Sequence, residues 1–587
     1  MDSKHSDGYA FGPFQLLPNE RLLLRDGRPV ALTPKVFDTL LVLVENSGRL
    51  LKKDELMKLI WPHATVEEGN LSQNIFVLRK TLGENPPAER YIVTIPLQGY
   101  RFIAPVREFR GNSETAVSNP QLLQSKYSPV TSLAVLPFKL LGEEHDDRHL
   151  GAGIADALVT KLTRTGRIIV RPTTAILKYA APDQDPLLAG REQSVDAVLD
   201  GVVQRVGSRI RVGVQLIRVD TQETLWGDQF EEQFTDIFAL QDSISEQVAR
   251  LLIPELSREE RDLLFKNQTD NVEAYALYIK GRYFWNQRTE VSLKMALESA
   301  QEMIRLDPDF ALAHILLADC YTVMGQYLYL APNESFPKAR AAAAAALKID
   351  PSLAEAHASL AEVSLFYDWD WSKAEEGYQQ AIALNPHYAS AHHWYAWFLL
   401  TQARYEEARA SLHRARALDP GSLTINTVVG LPDYYEHQYS SAISQFQQVL
   451  QLDPNFPQTH YCLGIALVHE GLYEEAIASF KKILAIEYPQ QTTALLCYTY
   501  GVMGNDASGR EILKRLNALA EKRYVSPYLK AIAYTGLGEI DQAFDQLEKA
   551  FAERALWMVF LKVDPFLDRL REDQRFEEML RRLGFMP

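Results

Sequence analysis

The sequence lacks most features of secreted, membrane-spanning and metal-binding proteins. Only three cysteines occur in 587 residues, Cys320, Cys462 and Cys497, and none belongs to a CxxC pair. We therefore expect neither a disulfide framework nor a zinc site. No uncharged apolar run reaches the ~18–20 residues of a membrane helix, and the N-terminus has no apolar signal segment. These absences predict a cytoplasmic protein with no membrane contact, no metal and no cofactor.

Positive charge is also scarce. The formal net charge is −15, from 61 basic and 76 acidic residues. The acidic excess lies beyond about residue 108, whereas the first segment has a slight basic excess. Only that segment could approach a polyanion without strong repulsion. So small an excess does not by itself establish nucleic-acid binding.

Residues 9–108 have the pattern of a compact α+β domain. Short strand-like runs come first, and three helices are predicted next, in "KVFDTLLVLVEN", "KKDELMKLIW" and "GNLSQNIFVLRKTLGE". Thr33 is the expected N-cap of the first helix, with Pro34 at its first helical position. The run "RYIVTIPLQGYRFIAPV" predicts a β-hairpin with its turn near Pro96–Gly99. This order is the outline of a winged helix-turn-helix.

The third predicted helix, residues 69–84, has the clearest function-related pattern. An apolar stripe expected to face the core recurs in steps of four, three and four: Leu71, Ile75, Leu78 and Leu82. The other face carries Phe76 and Val77 side by side, which a surface helix seldom exposes. On this pattern alone, an ordinary core helix and a DNA-contacting helix both remain open.

Two regions of different composition follow. Residues 109–130 are polar, have no apolar period and predict a linker. Residues 131–256 predict an α/β module that begins with the buried strand "SLAVLPF" and the amphipathic helix "LGAGIADALVTKLTR". Long alternating runs then predict an antiparallel three-stranded section. The "GAG" of the helix lacks the spacing of a phosphate-binding loop, so nucleotide binding is disfavoured.

Residues 271–587 form a repeat. A [Leu/Ile]-[Asp/Asn]-Pro motif ends at Pro308, Pro351, Pro386, Pro420 and Pro454, with a variant ending at Pro489. Twelve positions before the first five prolines lies an alanine each time: Ala296, Ala339, Ala374, Ala408 and Ala442. This period identifies the tetratricopeptide repeat (TPR), in which small residues let paired helices pack closely. One long interval predicts about nine extra residues near 325–335, and "DPFLDRLREDQRFEEMLRRLGF" predicts a polar C-terminal capping helix.

An aromatic run, "HHWYAWF", lies in one repeat. Trp394 and Trp397, together with Tyr434, are candidates to line the concave groove and bind a protein or peptide partner. Simple packing of a repeat helix is the competing interpretation. His392 and His393 point about 100° apart on a helix, so they do not predict a shared metal site.

Residues 1–108 resemble the DNA-binding domain of OmpR/PhoB-type response regulators and CadC-like one-component regulators. The resemblance rests on "LTPKVFDTLLVLVENSGRLLKKDEL", Trp61, "VEEGNLSQNIFVLRKTLGE" and "YIVTIPLQGYRF". It implies that the third helix enters the major groove, that the hairpin touches the backbone or minor groove, and that the loop "WPHATVEEG" faces RNA polymerase. The DNA-contacting set expected from it is Asn70, Gln73, Asn74, Phe76, Val77, Arg79, Lys80, Thr94, Tyr100 and Arg101.

The sequence departs from that family at two places. Phe76 and Val77 occupy positions where response regulators often have arginine, and the wing tip Pro96–Gln98 lacks the arginine common there. Fewer charge contacts imply a shallower salt dependence. The departures also imply apolar contact to thymine methyl groups and recognition of adenine by the amide of Gln73.

Residues 131–256 resemble the TolB amino-terminal-like module of CadC-like regulators and some adenylate cyclases, through "LAVLPF", "LGAGIADALVTKL", "VDAVLDGVVQRVG" and "RIRVGVQLIRVDTQETLWGDQFEE". That resemblance carries over no ligand and no catalytic residue, so we expect no enzyme.

The sequence thus predicts a multidomain chain: a winged helix-turn-helix, an α/β module and an all-α TPR solenoid at 271–587. The predicted function is a soluble, DNA-binding transcriptional regulator whose repeats bind a protein or peptide that controls promoter binding. A homodimer is expected, because one winged helix makes a small DNA interface. The alternative is a TPR scaffold whose winged helix contacts protein rather than specific DNA.

Overall fold

The computed structural model forms two compact units. The first holds residues 1–129, and the second holds the rest of the chain except for 224–228, which group with the first. The structure describes residues 8–18, 22–25, 28–30, 32, 34–60, 68–83, 91–95, 98–109, 130–141, 150–163, 165–180, 184–207, 209–233, 237–253, 257, 269–484 and 489–585. No helix in these ranges is long and apolar enough to cross a membrane.

The first unit combines three helices with two small sheets. Its helices are α1 (Pro34–Glu45), α2 (Lys53–Ile60) and α3 (Glu68–Thr81). Its strands are β1 (Gly8–Phe11), β2 (Phe14–Leu17), β3 (Leu22–Arg25), β4 (Arg28–Val30), β5 (Leu50–Lys52), β6 (Ile92–Ile95), β7 (Gly99–Phe102) and β8 (Arg107–Phe109). One sheet has the order β4-β3-β2-β1-β8, and the other has the order β5-β7-β6. The predicted N-cap Thr33 lies outside the described residues.

The predicted hairpin is confirmed as the antiparallel pair β6–β7, with Thr94 opposite Tyr100. The sequence did not predict β5, which adds a third strand by pairing Leu51 with Tyr100. This addition requires glycine at position 99, because a Cβ there would lie 1.9 Å from the carbonyl oxygen of Leu51. The wing is therefore attached to the segment between α1 and α2.

Four aromatic rings hold the N-terminal sheet to the base of the hairpin. Phe11 packs edge-on against Phe102 with ring centroids 5.1 Å apart, and Phe14 packs in the same way against Tyr91 at 5.6 Å. All four rings are buried. Burial of aromatic surface on this scale dominates the stability of a small domain.

The middle module is a sheet of mixed direction covered by helices. Its strands are β9 (Ser132–Val135), β10 (Lys139–Leu140), β11 (Ile169–Val170), β12 (Ala197–Val206), β13 (Arg209–Arg218) and β14 (Thr224–Gln233). Their order is β11-β9-β12-β13-β14, with β10 beside β12. The long antiparallel β12–β13 pair confirms that part of the predicted section. The helices are Leu150–Thr163, Thr173–Ile176, Pro186–Glu192 and Ile237–Leu252, with a 3₁₀ turn at Leu177–Tyr179.

The remainder of the second unit is a series of antiparallel helix pairs, as the repeat predicted. Its helices are Val272–Asn286, Glu290–Leu306, Ala311–Gln326, Pro332–Ile349, Ala354–Val363, Trp371–Leu384, Ala389–Thr401, Tyr405–Leu418, Leu423–Val428, Leu431–Tyr435, Tyr439–Leu452, Pro457–His469, Tyr473–Leu484, Pro489–Val502, Asp506–Ala520, Pro527–Gly536, Ile540–Ala552 and Gln574–Arg582. A π-helical turn covers Ser364–Asp368, and 3₁₀ turns cover Leu556–Phe560 and Pro565–Leu570. The five periodic alanines are fully buried, as predicted.

The long repeat interval is distributed rather than local. The helices Ala311–Gln326 and Pro332–Ile349 have 16 and 18 residues, against 13 and 14 in the regular pair Ala389–Thr401 and Tyr405–Leu418. The connecting turn is also longer. The extra residues therefore lengthen both helices as well as the predicted loop.

A left-handed residue recurs in the turn inside successive repeats. These residues have positive φ: Arg288, Leu328, Trp369, Ala403, His437, Gly471, Gly504 and Gly538. Because a side chain in this conformation clashes with its own backbone, glycine adopts it at the lowest cost. The last three turns use glycine and the first five do not.

The C-terminal segment contacts repeats far earlier in the chain as well as the last repeat helix. Trp371 Nε1 donates to the carbonyl oxygen of Leu583 at 3.0 Å, and its ring stacks on Phe585 at 4.5 Å. Lys562 donates to the carbonyl oxygen of Gln402. The helix Gln574–Arg582 also pairs with the last repeat helix, through Arg575 with Asp541 at 2.9 Å and Arg582 with Glu548 at 2.7 Å. Buried residues such as Phe566 tie the same segment to the repeat interior.

Gly471→Ala should destabilise the repeats by about 1 kcal/mol. Gly471 has φ +83°, and a Cβ would meet no atom within 4 Å, so backbone strain alone sets the cost. Urea unfolding followed by helical circular dichroism measures it. Lys481→Ala, an exposed change on a repeat helix, is the control and should shift stability by less than ~0.5 kcal/mol. Equal effects of the two changes would contradict the strain argument.

Candidate nucleic-acid interface and repeat cavity

Helix α3 has one buried face and one exposed face. The predicted inward stripe is confirmed, since Leu71, Ile75, Leu78 and Leu82 are at most 1% exposed. On the outer face, Phe76 is 62% exposed and Lys80 is also exposed. A phenylalanine ring in solvent beside a lysine is suited to an incoming surface that has both apolar and anionic groups. Asn70 and Gln73 lie in α3, but their side chains are outside what the structure describes.

Asn74 faces α1 instead of the outer surface. Its Nδ2 donates to the carbonyl oxygen of Lys35 at 3.2 Å and to the hydroxyl of Thr39 at 3.0 Å. These bonds set the angle between α3 and α1. Asn74 therefore helps to position the helix, and its direct contact with DNA stays a prediction. A threonine in the apolar run of α1 was the available signal, since a buried hydroxyl needs a partner.

Arg79 is likewise directed toward the hairpin. Its Nη2 donates to the carbonyl oxygen of Ile92 at 3.0 Å and to the hydroxyl of Thr94 at 2.7 Å. Thr94 itself is exposed on β6. Arg79 therefore links the outer helix to the wing, so its guanidinium is already engaged before any DNA phosphate arrives.

The other predicted contact residues are less accessible than expected. Val77 is half-buried against the domain core, and Tyr100 is 6% exposed. Arg101 is half-buried, and its Nε has no hydrogen-bond partner among the described residues. The described outer surface is therefore concentrated at Phe76, Lys80 and Thr94. Of the predicted polymerase-facing loop, residues 61–69, the part 61–67 lies outside the described residues, and Glu68 and Gly69 belong to α3.

The middle module is held against the repeats by two arginines. Arg282, on the first repeat helix, lies 3.5 Å from a carboxylate oxygen of Asp156 in the module and 3.9 Å from one of Asp319 in the next repeat. Arg171, on the module, donates to the carbonyl oxygens of Ala417 and Leu418 at 3.1 and 2.5 Å. A cation at the end of a helix stabilises its unpaired carbonyl groups.

Helix packing reinforces this junction. The helix Leu150–Thr163 lies so close to the first repeat helix that a Cβ on Gly153 would be 1.9 Å from Ile279 Cγ2. The hydroxyl of Tyr275 donates to Gln241 Oε1 at 2.6 Å in buried surroundings. The module therefore covers one side of the repeat groove.

A cavity of about 760 Å³ lies between the module and the repeats. Trp394 and Trp397, two of the three predicted partner-binding residues, line it. Tyr434 does not, because it is 1% exposed and belongs to the core of the repeats, which corrects the sequence assignment. Leu556 and Trp557, from the C-terminal segment, form another part of the wall. Sequence reasoning missed the cavity, because its walls come from three separate parts of the chain.

The cavity wall contains carboxyl groups in apolar surroundings. Burial raises the pKa of Asp319 to about 6 and that of Glu362 to about 7. Glu362 accepts hydrogen bonds from Gln326 and from the hydroxyl of Tyr378, both at 2.6 Å. Burial also raises the pKa of Asp419 to about 6. These pKa values are raised because burial removes water from the carboxyl groups and so disfavours their charged form.

Family models match most of these segments. Residues 27–102 match "Transcriptional regulatory protein, C terminal", and residues 129–247 match "HilA/YgeH-like transcriptional regulator, second domain". Two tetratricopeptide-repeat models match residues 369–425 and 433–471. The winged-helix and repeat predictions are confirmed. The TolB-like resemblance is not confirmed, since the model that matches the module is the HilA/YgeH-like one.

Curated relatives agree with this organisation. The chain is 26% identical over 418 residues to the transcriptional regulator HilA of Salmonella typhi, covering 70% of each chain. It is 33% identical over 96 residues to the transcriptional activator CadC of Escherichia coli, covering 16% of this chain and 19% of CadC. It is 28% identical over 187 residues to "Putative adenylate cyclase 3" of Rhizobium meliloti, covering 32% of each. The chain thus has homologues among HilA- and CadC-type regulators.

Arg79→Ala should loosen the wing by about 1 kcal/mol, because two hydrogen bonds to β6 are lost. Hydrogen exchange of the amides in Ile92–Ile95 should become faster. Lys80→Ala, one residue further along the same helix and exposed, is the matched control and should leave this exchange unchanged. If both variants accelerated exchange equally, Arg79 would not be the link to the wing.

Proposed function

We propose that this protein is a transcriptional regulator that binds promoter DNA through the outer face of α3. The main support is that α3 has one face whose apolar residues are at most 1% exposed and an opposite face that exposes Phe76 beside Lys80. The match of residues 27–102 to the regulatory-protein model supports it. Thr94, on the adjoining strand, supplies a polar contact to the DNA backbone.

The direct readout at this surface relies on apolar and amide groups. Because Arg79 is hydrogen-bonded to the hairpin, few cationic side chains on the outer face remain to contact phosphate. Phe76 contacts thymine methyl groups, and Gln73 pairs with adenine. Lys80 contacts phosphate, which contributes affinity without sequence preference.

The middle module and the repeats receive a signal and transmit it to the DNA-binding domain. The repeats and the HilA/YgeH-like module form one unit around the large cavity, and occupancy of the groove changes the presentation of the DNA-binding domains. The segment at residues 61–69 contacts RNA polymerase, by its resemblance to OmpR/PhoB-type regulators. The protein itself has no catalytic role, in line with its HilA and CadC relatives, which are named as regulators.

Separate substitutions on α3 should have different effects on DNA binding. Lys80→Ala should weaken binding about equally on all sequences and reduce the salt slope by about 1. Phe76→Ala and Gln73→Ala should each cost about 1 kcal/mol on the preferred site and little elsewhere. Gel-shift titrations of the full chain on genomic fragments at several salt concentrations measure both quantities.

Lys481→Ala, on a repeat helix, is the matched lysine control and should bind like the unaltered protein. If Lys80→Ala and Gln73→Ala behaved alike, the assignment of the two positions would be wrong. If the full chain showed no sequence-selective retardation, the adaptor function, in which the winged helix contacts protein, would replace the DNA-binding one.

The regulator should bind its operator as a homodimer, because a single winged helix buries too little surface for tight specific binding. Light scattering of the protein alone and with a selected DNA fragment should show two chains for each fragment. A monomer in both conditions would contradict the dimer.

A further inference from the structure

We propose that the cavity between the middle module and the repeats binds a small organic cation that carries an aromatic ring. The proposal deepens the sensing step of the proposed function. Binding of the cation itself does not depend on binding of DNA, so the two can fail independently.

The enclosure favours a small molecule over a folded partner. A volume of about 760 Å³ falls within the ~300–1,000 Å³ of small-molecule sites. The helix Leu150–Thr163 of the module closes one side, and Trp557 of the C-terminal segment lies on another. The chain itself therefore fills the positions that a protein partner would need.

The charge of the wall selects a cation. Among the described lining residues, five carboxyl groups face three cationic side chains. Of these three, Lys178 already pairs with Glu192 outside the cavity at 2.9 Å. Arg282 is shared between Asp156 and Asp319. The carboxyl groups of Glu355 and Glu362 remain without a cationic partner among the described residues, and that of Asp419 has Arg171 nearby.

A buried carboxylate oxygen lacks a partner. Asp419 is 3% exposed, lines the cavity, and its Oδ1 accepts no hydrogen bond in the described structure. Arg171 lies close enough to attract it, but donates its hydrogen bonds to the carbonyl oxygens of Gln193, Ser194, Ala417 and Leu418. An unpaired buried acceptor is costly, and a bound ammonium or iminium group would satisfy it.

Aromatic side chains supply the rest of the site. Trp394, Trp397 and Trp557 line the cavity, and Tyr388 meets Trp394 edge-on at 6.2 Å. Indole faces attract cations, and stacked rings bury apolar surface. Trp397 Nε1 donates to His393 Nε2 at 3.1 Å. Burial lowers the pKa of His393 to about 4, so this histidine is neutral near pH 7 and does not repel a cation.

One feature of the wall favours an anion instead. The guanidinium of Arg288 stacks over Trp285, with Cζ 3.4 Å from the ring centre, and forms no ion pair in the described residues. The carboxyl groups of Glu355, Glu362 and Asp419 still outnumber Arg288 and Arg171. An organic acid held by Arg288 is therefore the alternative that the experiment must separate.

Two dyes with the same xanthene framework provide the test. Rhodamine 123 is cationic and fluorescein is anionic, and fluorescence polarisation with quenching of tryptophan emission reports binding to the full-length protein. Rhodamine 123 should bind saturably and at least tenfold more tightly than fluorescein. Glu355→Gln and Glu362→Gln should each weaken rhodamine binding by roughly 5- to 10-fold, the effect of losing one partly buried charge pair.

Glu474→Gln, an exposed change outside the cavity, is the matched control and should leave binding unchanged. Glu355 is the safer of the two test sites, because its carboxyl group makes no hydrogen bond in the described structure and its loss should not affect folding. Absence of saturable rhodamine binding would overturn the proposal. Tighter binding of fluorescein that is lost in Arg288→Ala would overturn it in favour of an anion.

A gel-shift assay tests whether cation binding in the cavity also controls DNA binding. Rhodamine binding that changes the gel-shift affinity of the full chain would support both the cation site and the sensing step. Rhodamine binding with unchanged DNA affinity would support the site and contradict its part in promoter control.

Discussion

The ion-pair network of Arg282 is the interaction on which the second unit depends. This guanidinium, on the first repeat helix, lies between Asp156 of the module and Asp319 of the next repeat. Removal of one partner from a buried network typically costs about 3–5 kcal/mol, because the remaining charge is left unpaired. The hydroxyl of Thr173 also donates to Asp156, so the network extends to the helix Thr173–Ile176 of the module. The position of the module, and hence the cavity, follows from these contacts.

Aromatic residues inside the repeats contact the C-terminal segment, so the concave surface of the repeats is not fully open. Phe560 of the C-terminal segment stacks on Tyr435 at 5.6 Å and meets Trp397 edge-on at 5.7 Å. Part of the concave surface is thus covered by the chain itself, and another part by the module. What remains is a mostly apolar cavity whose charged lining residues are predominantly acidic. Its size suits a small ligand, whereas a bare concave surface would suit a peptide.

In the winged domain, the helical pattern predicted which residues of α3 face the core but not which partners its polar residues have. The four-residue stripe of α3 was predictable, because 3.6-residue periodicity is local to the helix. The roles of Asn74 and Arg79 were not, since their partners are Lys35 and Thr39 on α1 and Ile92 and Thr94 on β6. A polar residue on the outer half of a helix looks the same in sequence whether it meets DNA or a neighbouring strand. The exposure of Phe76, by contrast, matched its unusual sequence position.

The sequence by itself determined the domain types, the repeat period and the inward faces, because each depends on residues near one another along the chain. Buried alanines at fixed offsets and the alternation of β12 and β13 are of this kind. Only the tertiary structure decided that Trp371 bonds to Leu583, that Arg171 donates to the last carbonyl group of a repeat helix, and that Glu362 lines a cavity shared with the module. These contacts join residues up to 247 positions apart. No local periodicity records such pairings, because they are selected by packing and by the need of buried polar groups for partners.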